Sequence, residues 1–252
     1  MPATTRINSS FKVEDTRSWV LAAPRLRLAR LWLAEKLAEL ADRLEGVMLP
    51  YSFELMQHVR SYVKGSIRWE ELIQAAVSLG LTNVNSWVYI EEPLLRMLRT
   101  LNTQGISLKI KCYGPSVREE AELTWELLKL LINARLRSVI DLEAWRRVLP
   151  SLPVPVEEGY ATVTSRKVEG GNVLHWHHPF PPSEEITADS LTLESLKEYI
   201  DYLFKYVMLS SNVDEAYLKW LESREGQSER LQQLRSLAES LGITRYNSGV
   251  SA

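Results

Sequence analysis

Between Gly65 and Gly114 the apolar positions change period twice. Leu72, Ile73, Ala76, Val77 and Leu79 recur at helical spacing. Ser66 stands where an N-cap is wanted, Glu70 and Glu71 occupy the first turn, and Gly80 follows the last apolar residue as a C-cap. A second helical pattern runs through Val84, Trp87, Val88 and Ile90, with Thr82 as its cap. Pro93 disfavours helix at Glu92 and predicts a third helix from Pro93 to about Asn102. After Gly105, Ile106, Leu108, Ile110 and Cys112 alternate with Ser107, Lys109, Lys111 and Tyr113, the period of a half-buried strand with a basic polar face.

The flanking chain reads mostly as helix. Residues 1–15 have no period and predict a loose arm. Pro24 opens a long helix ending near Gly46, in which Leu33, Leu37, Leu40 and Leu44 are spaced 4-3-4, a short coiled-coil-like seam. Met48 to Lys64 predicts a further helix with Leu55, Met56, Val59 and Val63 on one face. Ser116 caps a strong helix with the stripe Leu123, Leu127, Leu128, Leu131 and Ile132, and Asp141 begins a shorter one ending at Val148. Pro150, Pro153 and Pro155 then predict an extended connector. Tyr160, Thr162 and Thr164 alternate with Ala161 and Val163, Glu169 to Asn172 reads as a turn, and Val173 to His177 as a returning strand, together a β-hairpin. Helices from about Thr192 to Met208, Val213 to Leu221 and Ser228 to Leu241 complete the chain, with frayed last residues after the stop at Gly242.

The expected fold is therefore mainly α. An N-terminal arm and long helix (1–48) precede a helical region (49–148) holding a winged-helix unit (49–114). A proline-rich linker (149–155), a β-hairpin (156–182) and a C-terminal helical segment (183–252) follow. The order helix, turn, helix, strand over Leu49 to Gly114 resembles a winged helix-turn-helix, although Pro93 interrupts it and the spacer from Leu81 to Gly105 is long. In such units the first turn of the second helix carries the side chains that reach base edges. Here that turn offers Asn83, Asn85 and Ser86, and Arg96, Arg99, Lys109 and Lys111 would anchor phosphates.

Charge tempers this reading. The 252 residues carry a net charge of −2, so no overall field draws the chain to DNA or a membrane. Residues 1–150 hold 21 Lys and Arg against 17 Asp and Glu, while residues 151–252 hold 9 against 15, a basic front and an acidic back. Arg25, Arg27 and Arg30 break the apolar stretch from Trp19 to Leu33, which excludes a membrane span. The single cysteine, Cys112, cannot form an intrachain disulfide. These features, with no signal-peptide pattern, predict a cytoplasmic protein.

Candidate chemistry is sparse. His175, His177 and His178 are three of only four histidines, and on a strand His175 and His177 would share a face able to meet zinc or iron. Three readings follow: a non-enzymatic nucleic-acid-binding or regulatory protein, an α-helical scaffold that binds a protein partner or a second copy through its first helix, and a metal-dependent enzyme using the histidine cluster. The first needs DNA or RNA and no cofactor. No glycine-rich phosphate loop and no nucleophile motif is present.

Overall fold

The computed structural model of the protein describes residues 18–150, 153–168 and 172–243. The expected N-terminal arm, most of the Glu169–Asn172 turn and the last residues lie outside them. At the centre is a five-stranded sheet formed by β1 (Trp19–Ala22), β2 (Gly46–Ser52), β3 (Lys109–Gly114), β4 (Tyr160–Thr164) and β5 (Val173–His175). Its order is β3-β2-β4-β1-β5, and every pairing is parallel. Helix α1 (Arg27–Leu40) links β1 to β2. Helices α2 (Met56–Val63), α3 (Trp69–Ser78) and α4 (Val84–Thr103) link β2 to β3. Helices α5 (Val117–Arg137) and α6 (Leu142–Val148) link β3 to β4. After β5 come α7 (Pro182–Glu185), α8 (Leu193–Lys205), α9 (Val213–Glu225) and α10 (Glu229–Ser240). This is an α/β, Rossmann-like architecture, which overturns the expected mainly helical fold with a winged helix-turn-helix unit and a hairpin.

The corrections have physical causes. Strands of a parallel sheet are covered on both faces and read as continuous apolar runs rather than alternations. In β1, Val20, Leu21 and Ala22 are all buried, and Gly46 to Leu49 are likewise buried in β2. Such runs carry no period that separates strand from buried helix. The helix expected from Met48 therefore starts only at Met56, after strand to Ser52 and a single 3-10 turn over Phe53–Leu55. The expected hairpin is not one. Its two strands are both parallel to β1, which lies between them: Leu21 faces Val163 on one side and Leu174 on the other.

Pro93 does not end a helix either, for α4 runs unbroken across it. A proline removes the N–H that would satisfy the carbonyl four residues earlier. That carbonyl belongs to Tyr89, and the Arg27 guanidinium donates to it at 2.6 Å. Arg27 also pairs with Glu92 at 2.8 Å. Thus α1 supplies from outside the donor that α4 lacks.

The proposed seam of α1 is spent internally. Leu33, Leu37 and Leu40 are buried in the main core, and Leu44 packs against it. A second, smaller core gathers Trp145, Leu149, Leu196, Tyr199 and Ile200 beneath α5, α6 and α8. Four cap signals held: Ser116, Asp141, Thr192 and Ser228 each accept a backbone N–H at the start of α5, α6, α8 and α10, whereas the caps expected at Ser66 and Thr82 fall instead on Arg68 and Asn83. No helix among the described residues is long and apolar enough to cross a membrane.

Candidate functional site: a cleft at the carboxyl edge of the sheet

In open parallel sheets, ligands bind beyond the carboxyl ends of the strands. Here the chain makes a cleft at that edge by a specific local device. β2 pairs with β4 from Gly46 to Met48 and then stops, while its ladder to β3 shifts register between Leu49 and Ser52. Pro50 sits in that interval, and proline within a sheet is confined to edges and irregularities because it has no N–H to donate. β4 continues beside β1 to Thr164. Two neighbouring strands thus separate as they reach the edge. The Tyr113 hydroxyl, at the end of β3, donates to the Val163 carbonyl at 2.7 Å, on the stretch of β4 that β2 has left.

A cavity of about 490 Å³ lies over this gap. Its floor and walls include Tyr51 and Ser52 from β2, Tyr113 and Gly114 from β3, Thr164 from β4, and Trp87 and Glu91 from α4. Arg25 and Arg166 also line it. Gly114 is needed at the rim: a Cβ there would lie 2.7 Å from the Tyr51 carbonyl oxygen.

The Glu91 carboxylate is buried, 2% exposed. Its Oε2 accepts from Arg30 Nε at 2.7 Å and from the Tyr51 hydroxyl at 2.9 Å. Arg30 is wholly buried and donates through Nη1 to the carbonyls of Ala23 and Pro24, at 3.2 and 3.3 Å. Its Nη2 has no hydrogen-bond partner among the described residues. Burial works against the guanidinium charge, but the Glu91 carboxylate outweighs it, so the Arg30 pKa lies above its ordinary value. Burial and then Glu91 hold the Tyr51 phenol protonated well beyond its usual range, so it stays a donor. Oε1 of Glu91 accepts no hydrogen bond from the described residues, and Glu91 lines the cavity. Arg166 is half-buried, and burial depresses its pKa, opposed by the Tyr113 phenol.

The N-terminus of the first helix after β1, where such sheets often hold a phosphate, is already filled. Asp214 from α9, fully buried, accepts from the backbone N–H of Leu28 at 2.9 Å and of Arg27 at 3.1 Å. Glu184 from α7 accepts from the Arg25 N–H through both oxygens, at 2.8 and 3.0 Å. Burial pushes the Glu184 carboxyl up to about 7 despite those donors. The N-terminus of α5 is closed in the same way by Ser116 and by Glu54, which accepts from the Val117 N–H at 2.7 Å.

The residues expected to read or anchor nucleic acid are scattered across α4 and β3. Asn85 and Ser86 are exposed in the first turn of α4, and Asn83 caps it in a left-handed conformation at φ 53°. The expected phosphate anchors have partners within the chain. Arg96 pairs with Glu92 at 2.7 Å, and Arg99 donates to the Ile67 carbonyl at 3.0 Å and lies 4.8 Å over the Tyr62 ring. Lys109 pairs with Glu45 at 3.1 Å and Lys111 with Glu157 at 2.5 Å.

β5 ends at His175, so His175 and His177 do not extend along one strand face. The His177 and His178 rings lie 4.2 Å apart, and burial with the neighbouring His177 and Arg230 lowers His178 to about 4. No group of three His, Cys, Asp or Glu side chains suited to a metal occurs among the described residues.

Sequence reasoning assigned no site role to the cleft residues Tyr51, Glu91, Tyr113 and Arg166. One signal was present. Arg27 and Arg30 in an apolar stretch need acidic partners, and Glu92 and Glu91, in another apolar stretch, are those partners. Comparison of the chain with protein-family models, with curated proteins and with solved structures gives no match.

Proposed function

We propose that the protein binds a small organic anion in the carboxyl-edge cleft. The ligand would carry a carboxylate or phosphate for Arg25 and Arg166 and a hydroxyl or amine donor for Glu91. The observation that carries this reading is the separation of β2 from β4 over a buried Arg30–Glu91–Tyr51 network. A buried ion pair is costly to maintain and adds little net stability, whereas a charged, pre-oriented acceptor at a cavity wall gives a ligand its orientation. With Asp214 and Glu184 on the N-terminus of α1, anion recognition in the cleft falls to arginine side chains.

The test is thermal unfolding with a panel of hydroxycarboxylates, amino acids, sugar phosphates and nucleoside monophosphates. A ligand at about a hundred times its Kd stabilises the native state by about 2.7 kcal/mol. The expected result is a concentration-dependent rise for one chemical class, lost in Arg166→Gln and in Glu91→Gln. A flat response to the whole panel, or a rise that survives both substitutions, overturns the proposal.

A second reading, nucleic-acid binding, is favoured by a different surface. Arg68, Arg96 and Arg99 line a shallow groove with Tyr62 and Trp69, a combination of cations and rings that suits single strands. Anisotropy of labelled RNA and DNA at several salt concentrations tests it. Binding that falls linearly in log–log with salt and weakens in Arg68→Glu supports this reading, and no binding at low salt removes it.

A further inference from the structure

Helix α5 has two apolar faces. Leu127, Leu130, Leu131 and Ala134 pack on the smaller core. At 100° per residue, Trp125, Leu128, Ile132 and Leu136, spaced 3-4-4, form a second stripe on the opposite side of the helix. All four are exposed, Leu136 to 78% and Trp125 to 60%. Val139, just past the helix, extends the stripe and is exposed as well. Single exposed apolar residues need no explanation, but a continuous stripe marks an interaction surface.

The charges say what covers it. The first half of α5, residues 117–126, carries Glu119, Glu120, Glu122 and Glu126 against Arg118. The second half, residues 127–137, carries Lys129, Arg135 and Arg137 and no acid. The helix is therefore −3 at one end and +3 at the other, the opposite of an even surface. Laid antiparallel with Trp125 opposite Leu136, Glu126 comes level with Arg135 of the other copy and Glu122 with the end of its basic half, and the helix dipoles oppose. Laid parallel, like charges meet.

We infer that the protein forms a two-fold symmetric dimer through antiparallel α5 helices of two copies. Trp125 packs against Leu136 of the second copy, and Leu128 against its Ile132, an isologous contact in which each patch meets itself. A helix of this length is about 31 Å long. Its stripe offers on the order of 500 Å² per copy, so that a pair reaches the roughly 1,000 Å² expected of a specific interface. None of the four stripe residues lines the carboxyl-edge cleft.

Sedimentation of the full chain tests the inference. The expected mass is twice 28.9 kDa, falling to the single-chain value in Leu136→Glu and, separately, in Ile132→Lys, with unchanged circular dichroism because both side chains are exposed. Orientation is read by oxidative cross-linking in a Cys112→Ser background. A mixture of Trp125→Cys and Leu136→Cys chains should cross-link, and Trp125→Cys alone should not. A monomeric wild type at the highest soluble concentration overturns the dimer, as does a dimer indifferent to both substitutions. Cross-linking of Trp125→Cys alone overturns the antiparallel arrangement. A monomer that instead floats with anionic vesicles assigns the stripe to a lipid surface and also refutes the proposal.

Discussion

Replacing Glu91 by alanine leaves the Arg30 guanidinium buried without a counter-charge. Arg30 is 0% exposed and Glu91 2%, so the guanidinium is left in the core with only such water as the cleft admits in place of the carboxylate. Breaking a buried pair from one side costs about 3–5 kcal/mol. For a chain of this length each kcal/mol moves Tm by roughly 2–4 °C, so Glu91→Ala should lower it by about 6–20 °C. Arg30→Met should cost a similar amount, because it strands the carboxylate. The double variant, Arg30→Met with Glu91→Met, removes both charges but leaves the Tyr51 hydroxyl without its acceptor and the Ala23 carbonyl without the Arg30 donor, a loss of about 1–3 kcal/mol for each. Adding Tyr51→Phe should recover the Tyr51 share. The assay is thermal and urea unfolding of the two single variants, the double and the triple. A coupling of several kcal/mol is expected between positions 30 and 91. If the double variant costs the sum of the singles, the pair does not act as a unit and the buried network described above is wrong.

Other outcomes follow from single contacts. Gly114→Ala places a Cβ 2.7 Å from the Tyr51 carbonyl, so it should loosen the β2–β3 edge, cost about 1–3 kcal/mol and weaken ligand binding in the cleft, both read by unfolding with and without ligand. Asp214→Ala exposes two buried N–H groups of α1 and should cost about 2–4 kcal/mol; a loss below 0.5 kcal/mol, roughly that of a surface substitution, would refute the capping role. Glu184 binds its proton more tightly when folded, its pKa rising from 4.5 to about 7, so its contribution makes stability fall as pH rises across that window, and Glu184→Gln should remove the decline. His178 is opposite in sign: its pKa falls from 6.5 to about 4, so stability is lost as pH drops through that interval, and His178→Gln should spare it.

The legible parts of this fold were those written in neighbouring residues. Ser116 with Glu119, and Thr192 with Ser195, announce helix starts because both partners of each capping box lie within one turn. The strand at Ile110 was legible because β3 is an edge, with Lys109 and Lys111 left on a polar face. β1 and β2 were not, since both faces of an interior parallel strand are apolar and the period vanishes. The partner of β4 was beyond local reasoning for a different reason. Tyr160 and Val173 are close in sequence and look like a hairpin, yet the strand between them comes from Trp19 to Ala22, far back in the chain. Pro93 misled because its remedy, Arg27, lies 62 residues away from the carbonyl it satisfies.

The same distance effect governs the charges, and it decides where an anion can bind. Lys109, Lys111, Arg96 and Arg99 look in sequence like a basic run, but Glu45, Glu157, Glu92 and the Ile67 carbonyl, brought in by other elements, answer each of them. The helix N-termini of α1 and α5 are answered likewise, by Asp214 and Glu184 from the C-terminal helices and by Glu54 from the end of β2. An anion gains from a helix terminus only if its N–H groups are still vacant. At α1 and α5 they are not, so a ligand entering the cleft meets the side chains that line it, Arg25, Arg166 and Glu91 among them. That geometry selects a molecule with a negative group at one end and a donor at the other. A plain phosphate should bind weakly by comparison, because it can neutralise the arginines but offers no donor to the Glu91 carboxylate and is repelled by it.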